Sequence, residues 1–448
     1  MSGDAEGAGT TAGGSVGVGT TADWVRRDAA VVWHGFTQMG AYEDNAPVIV
    51  ASAEGRELID VDGRRYLDAI SSLWVTTLGH RVPELDQALR DQIDKVAHST
   101  LLGNGNQVVI ELAEALRSVV PVDDAHLLFA SDGAAAVEQA LKIAFQFWTN
   151  RGVTGRTTYL AFGDAYHGDT MGAISLGAGG FGTDVFDPLC FPVLRAPSFA
   201  DPDCFAVAIA MIEDHAAELA AVVIEPLVQG AAGMQLAEPE DVAALAAACR
   251  MNDVLLIADE VAVGFGRTGT LFASEQCDLR PDLLCLGKGL TGGYLPMSAT
   301  VASDRVFAAF LGPDLSERTL YHGHSYSGNA LAAAVALRHL QLVTEGDVLA
   351  DVRTRAAHLA GRLAEVIAPL DAVGAIRQHG LMVGVELAPP TDGLRWGRRV
   401  CAGTVARGVL LRPLGDVVVL MPPLTITEDE IDRIVAALRE AIVEVSGS

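Results

Sequence analysis

The run Val254-Leu255-Leu256-Ile257-Ala258-Asp259-Glu260 is a short, uninterrupted apolar stretch closed by two carboxylates. Leu283-Leu284-Cys285-Leu286-Gly287-Lys288-Gly289 repeats the plan, with a lysine between glycines in place of the acids. Runs this short and this apolar, with turn residues at their ends, read as strands buried on both faces, and such strands belong to parallel sheets covered by helices. Working outward, Leu127 to Ala130, Thr158 to Phe162, Ala221 to Ile224 and Ala299 to Ala302 are runs of the same kind. Between them lie stretches of helical period: Val137, Leu141, Ala144, Phe145 and Trp148, and the Ala-rich Pro239 to Arg250. Strand–helix alternation of this kind predicts an α/β domain with a mostly parallel sheet.

Ligands of open α/β sheets sit beyond the carboxyl ends of the strands, so the residues that follow each run are the candidates. Ser131-Asp132-Gly133-Ala134 follows Ala130. It reads either as an ordinary turn capped by Asp132 or as a helix N-terminus whose free N–H groups cradle a phosphate. Gly163-Asp164-Ala165-Tyr166-His167-Gly168-Asp169 follows Phe162, and its Tyr166 is either half-buried in a solvated loop or stacks on a flat ligand. Glu225-Pro226 follows Ile224, and Asp259-Glu260 follows Ala258. A carboxylate ending an apolar strand is costly unless a cation meets it, and Val261-Ala262-Val263-Gly264 does not read as a helix start that the pair would cap.

Of 31 basic residues only Lys95, Lys142 and Lys288 are lysines. Lys95 reads as part of a charged helical face, and Lys142 as the partner of Glu138 one helical turn before it. Lys288 follows an apolar run, and desolvation there turns a lysine into a nucleophile toward carbonyls. Two motifs are decoys. Gly264-Phe265-Gly266-Arg267-Thr268-Gly269 fits a dinucleotide pattern but follows two carboxylates instead of opening a helix. Gly287-Lys288 lacks the Ser or Thr that a P-loop needs, since Gly289 stands there. A Schiff-base lysine, an acid for a pyridinium nitrogen, a stacking aromatic and a phosphate turn are together what pyridoxal phosphate requires.

The remainder of the 448 residues sets the frame. Residues 1–23 are Gly/Ala/Ser/Thr-rich, lack the basic start and apolar stretch of a signal peptide, and are expected to be disordered, with structure from Trp24. Val48 to Ala53 and Glu57 to Val61 flank Glu54-Gly55-Arg56 as a hairpin. Residues 24–75 are expected to form an N-terminal segment packing with the small domain, 76–340 the large domain, and 341–448 a smaller α+β domain. In the latter, Val348 to Leu370 has helical period, Met382 to Leu387 and Val417 to Met421 read as strands, and Thr427 with Glu430 forms a capping box for a last helix. The formal charge of −26 disfavours nucleic acid and anionic membranes as partners, and no apolar stretch approaches the ~18 residues of a membrane span. The six cysteines form no C-x-x-C pair, so free thiols in a cytoplasmic protein are expected, with no metal.

The run Leu255 to Gly269, with Gly287-Lys288-Gly289 downstream, resembles the signature of class III aminotransferases of fold type I, and the resemblance covers essentially Trp24 to the end of the chain. It implies that Lys288 carries the cofactor and moves the substrate proton, that Asp259 holds the ring nitrogen protonated, and that Tyr166 and Val261 pack on the two ring faces. It further implies that Asp132, Gly133 and Ala134 bind the phosphate, with Ser325 supplied by the neighbouring subunit of a homodimer with shared active sites. Arg412 would receive the substrate carboxylate, with Phe36, Trp74 and Gly323 lining the substrate side. Ala262, where many members have Gln, is similar to the branch that aminates 8-amino-7-oxononanoate in biotin biosynthesis, with S-adenosylmethionine or lysine as amino donor. Other stretches also resemble that branch: Trp33 to Met39, Ser71 to Trp74, Gly163 to Thr170, Gln229 to Met234, and Arg412 to Gly415 leading to Met421-Pro422-Pro423. Departures at Gly35-Phe36, Leu73-Trp74, Gly323 to Tyr326 and Val419 resemble the lysine-using members. Asp132 replaces a common Ser, and its carboxylate is expected to cap the helix and not to face the phosphate. Another ω-aminotransferase, and more remotely a non-catalytic binder of pyridoxal phosphate, are the alternative readings.

Overall fold

A computed structural model describes residues 19–45, 47–177 and 182–447, in two compact units. The expected disordered stretch up to residue 18 lies outside the described residues. Its last part is corrected: a helix spans Thr21–Val31, begun by a capping box in which the Thr20 hydroxyl accepts from Asp23 N–H and the Asp23 carboxylate accepts from Thr20 N–H. A box of this kind satisfies two of the N–H groups that a helix start leaves open, so order begins ahead of Trp24.

The smaller unit holds residues 19–45 and 47–52 together with Leu58–Arg65. In it Asp28 accepts a hydrogen bond from His34 Nε2 at 2.6 Å and another from the Tyr42 hydroxyl, and the His34 and Tyr42 rings stack at 4.7 Å. Burial and the Asp28 carboxylate push the Tyr42 phenol up to about 12. The expected hairpin is present as Val50–Glu54 and Glu57–Asp60, with Gly55 at a φ of 59° supplying the left-handed turn residue.

The larger unit is built on a seven-stranded sheet in the order His126–Ala130, Ser298–Ala302, Leu283–Leu286, Leu255–Asp259, Leu219–Ile224, Thr158–Phe162, Leu194–Ala196. Only Ser298–Ala302 runs against its neighbours. Every residue of the four strands from Ser298–Ala302 to Leu219–Ile224 in that order is buried. Full burial of each Val, Leu or Ile here contributes roughly 1.5–3 kcal/mol before the entropy of ordering it is subtracted. The helix Gly133–Asn150 covers one face, and its Trp148 indole N–H donates to Ala220 O at 2.9 Å. Lys142 does not pair with Glu138 as expected. The Glu138 carboxylate accepts from the Gly172 N–H at 2.7 Å, a fixed donor in place of a flexible ammonium, and Lys142 lies 3.1 Å from His322.

A second, antiparallel sheet runs Val373–His379, Met382–Leu387, Val417–Leu420, Arg412–Leu414. Its core joins Val383, Val385 and Val418 to Leu359, Val400 and Leu438 from the helices Val348–Val366, Trp396–Ala406 and Glu428–Ser446, and also takes in Leu67 and Ala69. The first of these helices stops short of Leu370 because Pro369 disfavours helical backbone at Ala368. The capping box of Thr427 and Glu430 opens the last helix as expected. Among the described residues no helix is long and apolar enough to cross a membrane.

Candidate active site

Parallel pairing brings the candidate residues to one edge of the sheet. Leu255–Asp259 pairs with Leu283–Leu286 on one side and with Leu219–Ile224 on the other. Asp259, Glu225 and Lys288 therefore leave three adjacent strand ends together. Thr158–Phe162, next in the sheet, delivers Tyr166 and His167, and His126–Ala130 delivers the turn at Gly133.

The glycines show how closely these ends meet. A Cβ on Gly133 would come 2.6 Å from Val261 Cγ1, and one on Gly287 would come 3.3 Å from the same methyl and 3.5 Å from Gly133 Cα. A Cβ on Gly168 would collide with Ala134. The start of the 18-residue helix, the residue after the Asp259-Glu260 pair, the residue before Lys288 and the Tyr166 loop thus share one small space. Helix N–H groups without intrahelical partners point into it. Asp132 is the N-cap, its carboxylate accepting from Ala135 N–H at 2.8 Å, as the sequence predicts.

Asp259 is buried, and both its oxygens are engaged: Oδ2 accepts from His167 Nδ1 at 2.7 Å and Oδ1 from Val261 N–H at 3.0 Å. Burial alone would push the proton off His167, but the bond to Asp259 and the charges of Asp259 and Glu225 outweigh it and hold the imidazole above its ordinary range. The ring's Nε2 is buried without a hydrogen-bond partner. Glu225 accepts from the N–H groups of Tyr166 and Gly230, and burial pushes it up to about 7 against the opposing pull of His167. The sequence shows His167 and Glu225 beside the candidates but gives neither a partner. His167 and Asp259 are 92 residues apart, and only the sheet joins them.

Glu260 is a correction. It turns away from Asp259 into the core and accepts from Ala273 N–H at 2.7 Å and Ser274 N–H at 2.8 Å, capping the turn Ala273–Cys277. The cap serves a segment thirteen residues on, so the residues that follow Glu260 gave no sign of it.

Lys288 is partly buried, with a φ of 40° that an L-residue rarely adopts. Burial and the nearby charge of Arg267 hold its amine below the usual lysine range, with Asp259 and Glu225 opposing. Nζ lies 4.8 Å from the centre of the Trp74 ring and has no hydrogen bond or ion pair among the described residues. Behind the lysine's turn, His339 is fully buried, bonds Thr77 Oγ1 at 2.6 Å, and is pushed down to about 4 by burial, so it stays neutral. Lys95 and Lys142 are both exposed.

Other expected residues lie as follows. Tyr166 is partly buried, and burial together with Asp169 holds its phenol protonated. Trp74 is buried, against Gly230. Arg412 opens its strand opposite Val419 and is exposed, with no ion pair among the described residues. Gly323 and Ser325 are exposed in a loop that rests on its own chain: His324 meets Ser131 at 2.9 Å and Ser325 O accepts from His98 at 2.8 Å. Phe36 belongs to the smaller unit, exposed, with a φ of 54°.

An unpaired lysine amine, a buried carboxylate held by a histidine, an aromatic and a glycine-floored helix start together fit a phosphorylated pyridine aldehyde. Fold and site define an enzyme of the pyridoxal phosphate type. Residues 39–442 match the family described as Aminotransferase class-III. The chain is 46% identical to an adenosylmethionine-8-amino-7-oxononanoate aminotransferase of Nitratidesulfovibrio vulgaris, over 94% of this chain and 81% of that one. It is 40% identical to the protein of the same name from Geobacter sulfurreducens, over 96% and 98%. The crystal structure of that aminotransferase from Methanocaldococcus jannaschii superposes with a TM-score of 0.91 at 40% identity, covering 94% of this chain and 98% of that one. A pyridoxal phosphate-bound amine transaminase from an uncultivated Pseudomonas species gives 0.86 at 32%, covering 93% and 99%. The chain belongs to the class III aminotransferases, and its cofactor is pyridoxal phosphate.

Proposed function

We propose that this chain transfers an amino group to 8-amino-7-oxononanoate, giving 7,8-diaminononanoate for biotin synthesis, with lysine or S-adenosylmethionine as donor. The observation that carries the chemistry is the lone amine of Lys288 beside buried Asp259. The substrate rests on the names of relatives that match along almost the whole chain. Pyridoxal phosphate, when bound, supplies an electron sink for the carbon that loses its proton.

The chain's own residues do the rest. Lys288 Nζ takes the proton from the amine-bearing carbon of the donor and later returns a proton to the acceptor's carbon. Burial lowers its proton affinity and so favours the free amine that a base needs. Asp259 keeps a proton on the ring nitrogen, and His167 fixes the orientation of that carboxylate. The N–H groups of Gly133 and Ala134 hold the phosphate, and Ser325 serves the site of a second copy in a homodimer. Tyr166 and Val261 pack on the two ring faces. Arg412 receives the substrate carboxylate, which a chain of charge −26 can hold only with a local cation. Trp74 and Gly323 line the substrate side.

The test offers 8-amino-7-oxononanoate to the holoenzyme with each donor in turn and detects 7,8-diaminononanoate by mass. Product with either donor supports the assignment. No product with both donors, while simple ω-amines bleach the cofactor's colour, replaces it with a different ω-aminotransferase.

A further inference from the structure

The turn Ser71–Trp74 is built from backbone that L-residues avoid: φ is 51° at Ser71, 60° at Ser72 and 65° at Trp74. Such conformations persist only where the surroundings over-determine them. Among the surroundings that hold it, the side chain with the most bonds to the turn is Asp68, which is fully buried at the end of the strand Arg65–Asp68. Its Oδ1 accepts from Ser72 N–H at 2.8 Å, and its Oδ2 accepts from Ser72 Oγ at 2.9 Å and from His80 Nε2 at 3.0 Å. From the other side Ser71 Oγ donates to Met421 O at 2.7 Å, two residues beyond the one that faces Arg412. The product of this turn is the place of Trp74. Its ring edge would meet a Cβ on Gly230 at 3.1 Å, and its face lies under Lys288 Nζ.

We infer that Asp68 is a positioning residue for the reaction: its carboxylate holds the strained turn and thereby fixes the Trp74 indole against the Lys288 amine. This rests on the reading above, in which Lys288 is the reacting amine and Trp74 lines the substrate side. Asp68 acts through Trp74, apart from the pull of its charge on buried Arg267, and the Trp74→Ala background separates the two routes. An Asn at 68 still accepts from Ser72 N–H and donates to Ser72 Oγ, so it should retain most of the effect.

A double-mutant cycle of Asp68→Ala and Trp74→Ala in the holoenzyme decides this, with Asp68→Asn as the conservative variant. Two readouts are followed: KM and kcat for whichever substrate pair the wild type accepts, and the cofactor-dependent part of the Trp74 emission, isolated by subtracting Trp74→Phe. Asp68→Ala should raise KM by about tenfold with a smaller change in kcat, since displacing a positioning group by an ångström has costs of this order or more. It should also abolish the Trp74 emission component and add nothing in the Trp74→Ala background. Asp68→Asn should restore the emission. Equal factors in both backgrounds, or a lowered melting temperature with KM and emission unchanged, overturn the inference. Where Asp68→Ala does not accumulate as folded protein, Ser72→Ala removes one of the three bonds and is judged by the same outcomes. The emission cycle needs no particular substrate, so it stands or falls independently of whether 8-amino-7-oxononanoate is turned over.

Discussion

His167 donates its Nδ1 proton to Asp259 Oδ2 over 2.7 Å, and the two side chains are shut away from water. Without the imidazole, Asp259 keeps only the Val261 N–H as a donor. His167→Phe should therefore lower stability by about 1–3 kcal/mol, the cost of a buried acceptor left short of a partner. The pH dependence has a definite sign. The folded state holds the His167 proton more tightly than the unfolded chain does. The stabilisation is complete below the unfolded value of 6.5 and is lost as pH rises through the folded value. Melting temperatures of wild type and variant should differ most below pH 6.5 and draw together as pH rises past it. A gap that widens with pH would reverse the assignment of the charged partner.

The two acids at the end of Leu255–Asp259 should separate function from fold. Asp259→Asn should retain part of the cofactor affinity but lose most of the rate, because an amide cannot hold a proton on the ring nitrogen. Glu260→Gln should leave turnover near wild type and move stability alone. Burial pushes Glu260 up to about 7 from the ordinary glutamate value of 4.5. The folded wild type therefore favours the protonated acid, and it loses stability as pH climbs from about 4.5 to about 7. The glutamine has no such loss, so its melting temperature relative to wild type should rise across that interval. Calorimetry at several pH values together with steady-state rates checks both halves, and a Glu260→Gln enzyme that is stable but inactive would return Glu260 to the site.

The sheet was legible because a strand buried on both faces must be apolar throughout, and Leu283–Leu286 is. Leu194–Ala196 was not, since a three-residue edge strand carrying Arg195 has no such pattern. Val373–His379 hides for a related reason: it lies at the edge of its sheet, where Arg377, Gln378 and His379 are tolerated. In the site, Asp259 and Lys288 announced themselves as polar residues at the ends of apolar runs. Asp68 stands out less, because only the pair Tyr66-Leu67 precedes it and the apolar Ala69-Ile70 follows. His167 and Glu225 carry no such mark of their partners, because their pairing is a property of neighbouring strands and not of the chain near them.

The floor of the site should tolerate no side chain. A methyl on Gly133 would stand 2.6 Å from Val261 Cγ1, and Val261 is β-branched, with few rotamers to retreat into. Gly133→Ala should push Val261 into the space of the ring or shift the helix start, and cofactor affinity should fall by about tenfold or more, a change of ~1.4 kcal/mol. Titration of the apoenzyme with pyridoxal phosphate, followed by absorbance, measures it. Gly361, whose Cβ would meet nothing within 4 Å in the helix Val348–Val366, is the control, and its alanine variant should bind as wild type does.

Three lysines allow a complete test of the reacting amine. Lys95 and Lys142 are exposed, and Lys142 leans on His322. Lys288 alone emerges from a buried strand with its amine unpaired, its proton affinity reduced by burial and Arg267. Alanine at 288 should abolish the visible absorption of the lysine-linked cofactor and lower turnover by at least the ~10²–10⁴-fold that a positioned base contributes. Pyridoxal phosphate should still bind that variant through the Gly133 turn and Asp259, but as a freely exchanging ligand that dialysis removes. Alanine at 95 or 142 should change neither spectrum nor rate. Borohydride reduction of each holoenzyme followed by peptide mapping settles the point: the label should fall on the peptide carrying Lys288, and label on either of the others would move the chemistry elsewhere in the chain.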